Sequence, residues 1–159
     1  MNNFKNIVYS HSEYFDVLDI FLEQQKKFGI EKILIFSDKK FNNKNEHFIY
    51  DKNHTYTERL INCLDKVKED VVLYQHEDMF LYKEPNISTL KKYMDYLSNS
   101  KYSFIRLSRT GNCDLKNCAE NLYEINPSSP DFFAVQPTIW KRKDFISFLS
   151  DAGPKNIWD

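Results

Sequence analysis

Residues 75–78, Gln-His-Glu-Asp, interrupt an otherwise apolar stretch of the sequence, and we call them the acidic turn. The residues before them, 71–74, are β-branched, aliphatic or aromatic and predict a short strand buried on both faces, as in parallel α/β sheets. Apolar residues resume at Met79. Two carboxylates and an imidazole at a strand end suit a divalent cation, because these groups are common ligands of such ions. For the acidic turn taken alone, a solvated exit from the strand is the competing interpretation.

Two other predicted strands also end in polar residues. A strand at 6–10 leads into Ser10 and His11, and a strand at 32–37 leads into Asp38. Parallel strands joined by right-handed crossovers bring their carboxyl ends to one edge of the sheet. We therefore expect these polar residues to meet the acidic turn at that edge, which is where open α/β sheets bind ligands.

The remaining elements follow from hydrophobic spacing and from helix caps. Gly29 predicts the end of the first helix, and Thr55 with Glu58 predicts a capping box that opens the second. Ser10 with Glu13, or Ser12, is the predicted cap of the first helix. The pattern predicts helices over 13–28, after 55, after 86 and from 144, further strands at 47–50, 102–108 and 132–136, and a loop at 109–120. This alternation predicts an α/β fold with a mostly parallel central sheet flanked by helices, in a single domain over 1–159.

Composition excludes several classes of protein. The 159 residues contain 3 Gly, and no Gly-rich phosphate-binding motif occurs. A formal charge of −1 gives no electrostatic footprint for nucleic acid, so we expect no nucleic-acid partner. No apolar run is long enough to predict a transmembrane segment. The three cysteines show no paired metal-binding spacing, and we expect free thiols in a reducing cytoplasm.

The sequence resembles the GT-A-type nucleotide-diphospho-sugar glycosyltransferases over most of its length. The resemblance is carried by residues 75–81 after the apolar strand, by the helix beginning Tyr56-Thr-Glu-Arg-Leu, by residues 133–141 (Phe-Ala-Val-Gln-Pro-Thr-Ile-Trp-Lys) and by residues 154–159 (Pro-Lys-Asn-Ile-Trp-Asp). It implies a GT-A-like, Rossmann-like fold and transfer of a hexose or N-acetylhexosamine from a nucleotide-diphospho-sugar donor to a glycan or other hydroxyl acceptor. It also implies a divalent cation, Mn²⁺ or Mg²⁺, in the reaction.

The resemblance further implies a role for each residue that matches the family pattern. Asp78, with His76 in the place of the first Asp of the usual Asp-x-Asp motif, would bind the metal. Glu77 would meet the donor sugar or the metal and take part in catalysis. The predicted contacts with the donor nucleotide are made by Ser10, His11, Asp38, Arg59, Glu77 and Asp78, and the predicted acceptor-side residues are Gln136 and Trp140.

The chain's last residues bear on the predicted catalytic base. The family pattern places an acidic residue that meets the acceptor at or just after Trp158, so Asp159 is the predicted base and Asp131 the next candidate. On this pattern we expect the natural protein to continue beyond residue 159. Two other functions remain open, a non-catalytic nucleotide-sugar-binding protein and a metal-dependent nucleotidyltransferase or phosphohydrolase. Donor sugar, acceptor and stereochemical outcome are not determined by the sequence.

Overall fold

The computed structural model describes residues 4–108, 113–126, 128, 132 and 135–156. Within this part of the chain, strands and helices alternate over the first two-thirds and a hairpin follows. The strands are β1 (Phe4–Tyr9), β2 (Ile33–Ser37), β3 (Glu46–Ile49), β4 (Val71–His76), β5 (Phe104–Arg106), β6 (Cys113–Ala119), β7 (Leu122–Ile125) and β8 (Thr138–Lys141). The helices are α1 (Phe15–Lys27), α2 (Tyr56–Leu64), α3 (Ile87–Asn99) and α4 (Arg142–Ala152).

Six of the described strands form one sheet in the order β3-β2-β1-β4-β8-β5. β1 to β4 are parallel, whereas β8 runs antiparallel to both of its neighbours, β4 and β5. The predicted mostly parallel α/β sheet is therefore confirmed. The sequence did not show that one strand is reversed, because a strand's direction depends on tertiary pairing and not on its own residues.

Helices cover both faces of the sheet, as the period-2 alternation of the strands requires. One face, which includes Leu34 and Val72, packs against α2 and α4. The other face packs against α1 through residues such as Val8, and against α3 through residues such as Leu73. The central strands are apolar on both sides because each side is covered by a helix.

Several local predictions are confirmed and two are corrected. Gly29 follows α1 with a φ of 74°, and Thr55 forms the predicted capping box with Glu58. The first cap is different, because the His11 side chain accepts a hydrogen bond from the Glu13 amide and opens a short 3-10 turn, Ser12–Tyr14, before α1. The predicted loop at 109–120 is wrong from residue 113 onward, where β6 pairs with β7 in a two-stranded hairpin.

The other predicted strands and spans have mixed outcomes. The strand expected at 102–108 is confirmed over the shorter range Phe104–Arg106. Of the strand expected at 132–136, residues 133 and 134 lie outside the described residues and the other three are not in a strand; the strand of this region is β8, Thr138–Lys141. No helix in the described part of the chain is long and apolar enough to cross a membrane.

Candidate functional site

The three polar strand ends predicted to converge do meet at one edge of the sheet. β1 lies between β2 and β4, and Tyr9 at its end is level with Phe36 on one side and His76 on the other. The chain builds the sheet outward from β1 to β3 and then returns to add β4 on the opposite side of β1. The strand order therefore reverses between β1 and β4, and open α/β sheets bind ligands at such a reversal.

Asp38 joins the ends of β1 and β2. Its carboxylate accepts hydrogen bonds from the Ser12 amide at 2.7 Å and from the Ser12 hydroxyl at 2.8 Å. His11 lies next to it, with Nε2 3.6 Å from the carboxylate. Burial favours the neutral acid, but the two hydrogen bonds from Ser12 and the nearby imidazole together hold the pKa of Asp38 below its usual value. Asp38 is thus an ionised, well-oriented acceptor at the predicted site.

Ser10 does not have the exposure expected of a ligand-binding residue, whereas Arg59 lies beside the end of β1. The Ser10 side chain is fully buried, so its predicted contact with a nucleoside is not supported, and Ser12 occupies the strand exit in its place. Arg59 is half-buried beside β1, where Nη2 donates to the Lys52 carbonyl at 2.5 Å and the guanidinium lies 5.2 Å from the centre of the Tyr50 ring. Its Nε is buried and has no hydrogen-bond partner among the described residues.

His76 of the acidic turn forms a polar cluster with two buried tyrosines, Tyr56 and Tyr74. Its Nε2 lies 2.9 Å from the Tyr74 hydroxyl and 3.0 Å from the Tyr56 hydroxyl, and these two hydroxyls are 2.6 Å apart. The imidazole also packs on the Tyr9 ring, with 5.2 Å between ring centres. Burial lowers the pKa of His76 to about 4, against a smaller opposing effect of Asp78. Near neutral pH His76 is therefore an uncharged hydrogen-bonding group.

The two carboxylates of the acidic turn have different environments. Glu77 is 8% exposed, and burial raises its pKa to about 7, with its own backbone amide opposing the shift and Asp78 adding to it. Asp78 is exposed to solvent. No group of three His, Cys, Asp or Glu side chains within the described ranges is arranged to hold a metal ion.

The predicted metal ligands fit a divalent cation unequally. The exposed carboxylate of Asp78 fits an ion whose other ligands are water and phosphate oxygens, which is the usual coordination of Mg²⁺ at phosphate sites. His76 does not fit this role through Nε2, because that nitrogen faces two tyrosine hydroxyls. Asp78 is therefore the residue of this pair that could hold a metal from the protein side.

The two predicted acceptor residues have different environments. Gln136 is half-buried near the carboxyl end of β5, where its side-chain oxygen accepts a hydrogen bond from Ser108 at 3.0 Å. Trp140 is only 3% exposed, and its ring stacks on Phe145 with 4.5 Å between centres. The acceptor role predicted for Trp140 is therefore corrected to a structural role, because the ring is part of the core. Asp131, Trp158 and Asp159 lie outside the described residues.

The residues that the sequence interpretation missed are the tyrosines around the site. Tyr9 and Tyr50 stack with 5.2 Å between their ring centres, and the Tyr50 hydroxyl donates to the Ser10 carbonyl at 2.7 Å. A signal was present in the sequence, since Tyr9 and Tyr74 each stand within two residues of a polar strand end. Tyrosine at such a position is equally consistent with simple core packing, so these residues could not be singled out from the sequence.

Comparisons with known proteins identify the fold. No protein-family model matches the sequence, and no match is found among curated proteins. Solved structures do match. The chain is 15% identical over 97% of its length to the bifunctional IspDF of Campylobacter jejuni, of which it spans only 48%, with a TM-score of 0.54.

Two further structures show the same likeness over most of both chains. One is 4-diphosphocytidyl-2C-methyl-D-erythritol synthase of Anaerococcus prevotii, at 13% identity and a TM-score of 0.54, covering 98% of this chain and 80% of that one. The other is CMP:2-keto-3-deoxy-manno-octonic acid synthetase, solved with CTP, at 10% identity and a TM-score of 0.52, with coverages of 98% and 80%. The chain therefore has the α/β fold of these proteins.

Proposed function

We propose that the protein is a glycosyltransferase that moves a sugar from a nucleoside diphosphate to a hydroxyl acceptor. The observation that carries this proposal is the convergence of Asp38 and the acidic turn where the strand order reverses. The sequence has no Gly-rich loop to cradle phosphates with backbone amides, so a diphosphate would need a cation or an arginine instead. The carboxylate of Asp78 at the end of β4 suits binding of a cation.

In this proposal the ends of β1 and β2 hold the nucleoside. The ionised carboxylate of Asp38 accepts hydrogen bonds from the base or the ribose, while Ser12 keeps it oriented. His11 lines the same position through its contact with Asp38. Arg59 is near enough to Tyr9, 3.4 Å from Nη1 to the hydroxyl, to contribute positive charge behind the β1 end.

The end of β4 holds the diphosphate and the sugar. Asp78 would hold a Mn²⁺ or Mg²⁺ ion together with phosphate oxygens, and the ion would neutralise charge on the departing nucleoside diphosphate. Glu77, the preceding residue, is 8% exposed, and in this proposal its carboxyl group would hydrogen-bond to sugar hydroxyls. The neutral His76 would hold this turn in place through its hydrogen bonding with Tyr56 and Tyr74.

In the transfer step, the acceptor oxygen forms a bond to the anomeric carbon and the bond from that carbon to the phosphate oxygen breaks. The electron pair of the broken bond leaves with the nucleoside diphosphate. A carboxylate takes the proton of the acceptor hydroxyl. Asp159 remains the predicted base for this proton, with Asp131 as the next candidate.

A second candidate function is nucleotidyl transfer, and the structural likeness favours it. Two of the solved structures described above are named as a 4-diphosphocytidyl-2C-methyl-D-erythritol synthase and a CMP:2-keto-3-deoxy-manno-octonic acid synthetase, and the second contains CTP. In that reaction an oxygen of the second substrate, a hydroxyl or a phosphate oxygen, forms a bond to the α-phosphorus of a nucleoside triphosphate. The bond from that phosphorus to the bridging oxygen of the β-phosphate breaks, and pyrophosphate leaves. The same edge of the sheet would hold the nucleotide in both cases.

Titration calorimetry and product analysis test both functions. We expect UDP or GDP to bind more tightly with Mn²⁺ than with EDTA, and Asp78→Ala to remove that difference. Asp38→Ala should weaken nucleoside diphosphate binding by about 1–3 kcal/mol, because buried polar groups of the ligand lose their partner. Asp19→Asn, at an exposed position on α1, is the control.

The products separate the two reactions. Release of a nucleoside diphosphate from a nucleotide sugar supports glycosyl transfer, whereas release of pyrophosphate from a nucleoside triphosphate supports the second candidate. No binding of any nucleoside diphosphate or triphosphate, with or without Mn²⁺, would overturn the proposed site.

A further inference from the structure

We propose that a tyrosine-lined cavity beside β5 binds a sugar ring of the acceptor, and this inference rests on the proposed glycosyl transfer. The cavity has a volume of about 710 Å³ and lies between α3, β5 and the β6–β7 hairpin. Ligand sites of small molecules commonly have volumes of this order. Neither Asp38 nor any residue of the acidic turn lines the cavity.

The lining of the cavity combines aromatic faces with hydrogen-bonding groups. Four of its residues are tyrosines contributed by α3, by the segment before β5 and by β7, namely Tyr93, Tyr96, Tyr102 and Tyr123. Lys101, Arg106 and Glu124 also line it, so the wall carries two cations and one anion.

This combination fits a neutral polyhydroxyl ring. Glu124 and Arg106 already have hydrogen-bond partners in the protein, the Tyr102 hydroxyl and the Phe132 carbonyl, so ligand hydroxyls would add to these bonds. An anion would meet Lys101 and Arg106 but also the carboxylate of Glu124. A pyranose presents C–H faces to tyrosine rings and hydroxyls to charged groups, so it can satisfy both parts of the lining.

Two of the tyrosine hydroxyls already hold the cavity wall together. The Tyr102 hydroxyl donates to the Glu124 carboxylate at 2.6 Å, and the Tyr96 hydroxyl donates to the Cys118 carbonyl at 3.3 Å. These bonds tie the hairpin to α3 and to the start of β5. The ring faces are thereby positioned before a ligand arrives, which lowers the entropy lost on binding.

The cavity lies within reach of the proposed donor site. β5 runs parallel to β4, because both are antiparallel to β8, so their carboxyl ends share one edge of the sheet. One strand separates β4 from β5, which places the two ends about 10 Å apart. Ser108 lines the cavity at that end and donates to Gln136, a predicted acceptor-side residue. A sugar held along β5 can therefore present a hydroxyl toward a donor at the end of β4.

The test measures binding of methyl α- and β-pyranosides of glucose, galactose and mannose by saturation-transfer NMR and titration. Tyr123→Ala removes one aromatic face, and Ser103→Trp fills the cavity while keeping the backbone hydrogen bond from the Lys141 amide to the Ser103 carbonyl. Tyr82→Ala is the matched control, because that tyrosine is 91% exposed and does not line the cavity. UDP binding is measured in parallel on every variant.

We expect at least one pyranoside to bind the native protein, and its Kd to rise about tenfold or more in both cavity variants but not in Tyr82→Ala. UDP affinity should stay unchanged in all three. If UDP binds and no pyranoside binds, or if pyranoside binding survives in both cavity variants, the cavity assignment is wrong and the nucleotide site stands. If a pyranoside binds in the cavity while no nucleotide binds at all, the proposed transferase function and the acceptor assignment both fail.

Discussion

Replacing His76 with Phe separates a structural role of this residue from the metal role that the sequence predicts. In the structure Nε2 lies 2.9 Å from the Tyr74 hydroxyl and 3.0 Å from the Tyr56 hydroxyl, and this single ring nitrogen shares one hydrogen bond between them. Phe keeps most of the packing on Tyr9 but removes this bond, while the two hydroxyls still bond each other at 2.6 Å. A hydrogen bond contributes about 0.5–1.5 kcal/mol, so we expect the free energy of unfolding to fall by about 0.5–1.5 kcal/mol.

Urea denaturation at neutral pH in EDTA measures this change, with unchanged m-values confirming that stability alone is altered. The Tyr56→Phe substitution, made in the native and the His76→Phe backgrounds, completes a double-mutant cycle. We expect a coupling energy of about 0.5–3 kcal/mol, because residues of one hydrogen-bond network are not independent. His54→Phe, at an exposed position, should change stability by less than about 0.5 kcal/mol and is the control.

The same variant tests metal binding directly. If His76 is a structural residue, Mn²⁺ should strengthen UDP binding as much in His76→Phe as in the native protein. Unaltered stability together with loss of the Mn²⁺ effect would refute this reasoning and restore His76 as a metal ligand.

Three other substitutions have defined consequences. Ser12→Ala should raise the pKa of Asp38, measured by carboxyl NMR titration. The stability that the Ser12–Asp38 pair contributes is present above the ordinary aspartate pKa and is lost as the pH falls through the lower pKa of the folded state. The variant should therefore lose less stability than the native protein on acidification. Trp140→Ala should cost about 3–5 kcal/mol in urea denaturation without changing UDP affinity, because the ring is core and not acceptor site. Gly153→Ala should cost about 1–3 kcal/mol in the same assay, since φ is +72° there and no neighbouring atom would contact the added methyl group, which leaves backbone strain as the cause.

The parts of the fold that the sequence predicted correctly are those set by local patterns. The apolar runs of β2 and β4 and the capping box at Thr55 depend on residues close together in the chain, so they are visible in the sequence. The β6–β7 hairpin was missed because residues 113–119 mix polar and small residues without clear alternation. Its strands are recognisable only from their pairing with each other.

The part of the candidate site that was predicted correctly also depends on a local pattern. Its acidic residues stand out because their carboxylates come directly after an apolar, buried strand. Trp140 was misassigned because an aromatic residue in a family-like motif can serve either the core or a ligand, and only its stacking on Phe145 decides between them. The tyrosines around His76 are separated by up to about 65 residues in sequence, so no local pattern links Tyr9 to Tyr74.

Charge compensation distinguishes the two halves of the proposed site. At the β1–β2 end, Asp38 is stabilised by two hydrogen bonds from Ser12 and by the adjacent His11. At the β4 end, no lysine or arginine of the described residues forms an ion pair with Glu77 or Asp78. The cluster beneath them is uncharged near neutral pH, because burial lowers the pKa of His76 to about 4. An anionic diphosphate approaching the acidic turn would therefore meet the uncompensated carboxylate of Asp78 and, as the pH rises through about 7, that of Glu77, which is why we expect a divalent cation to accompany it.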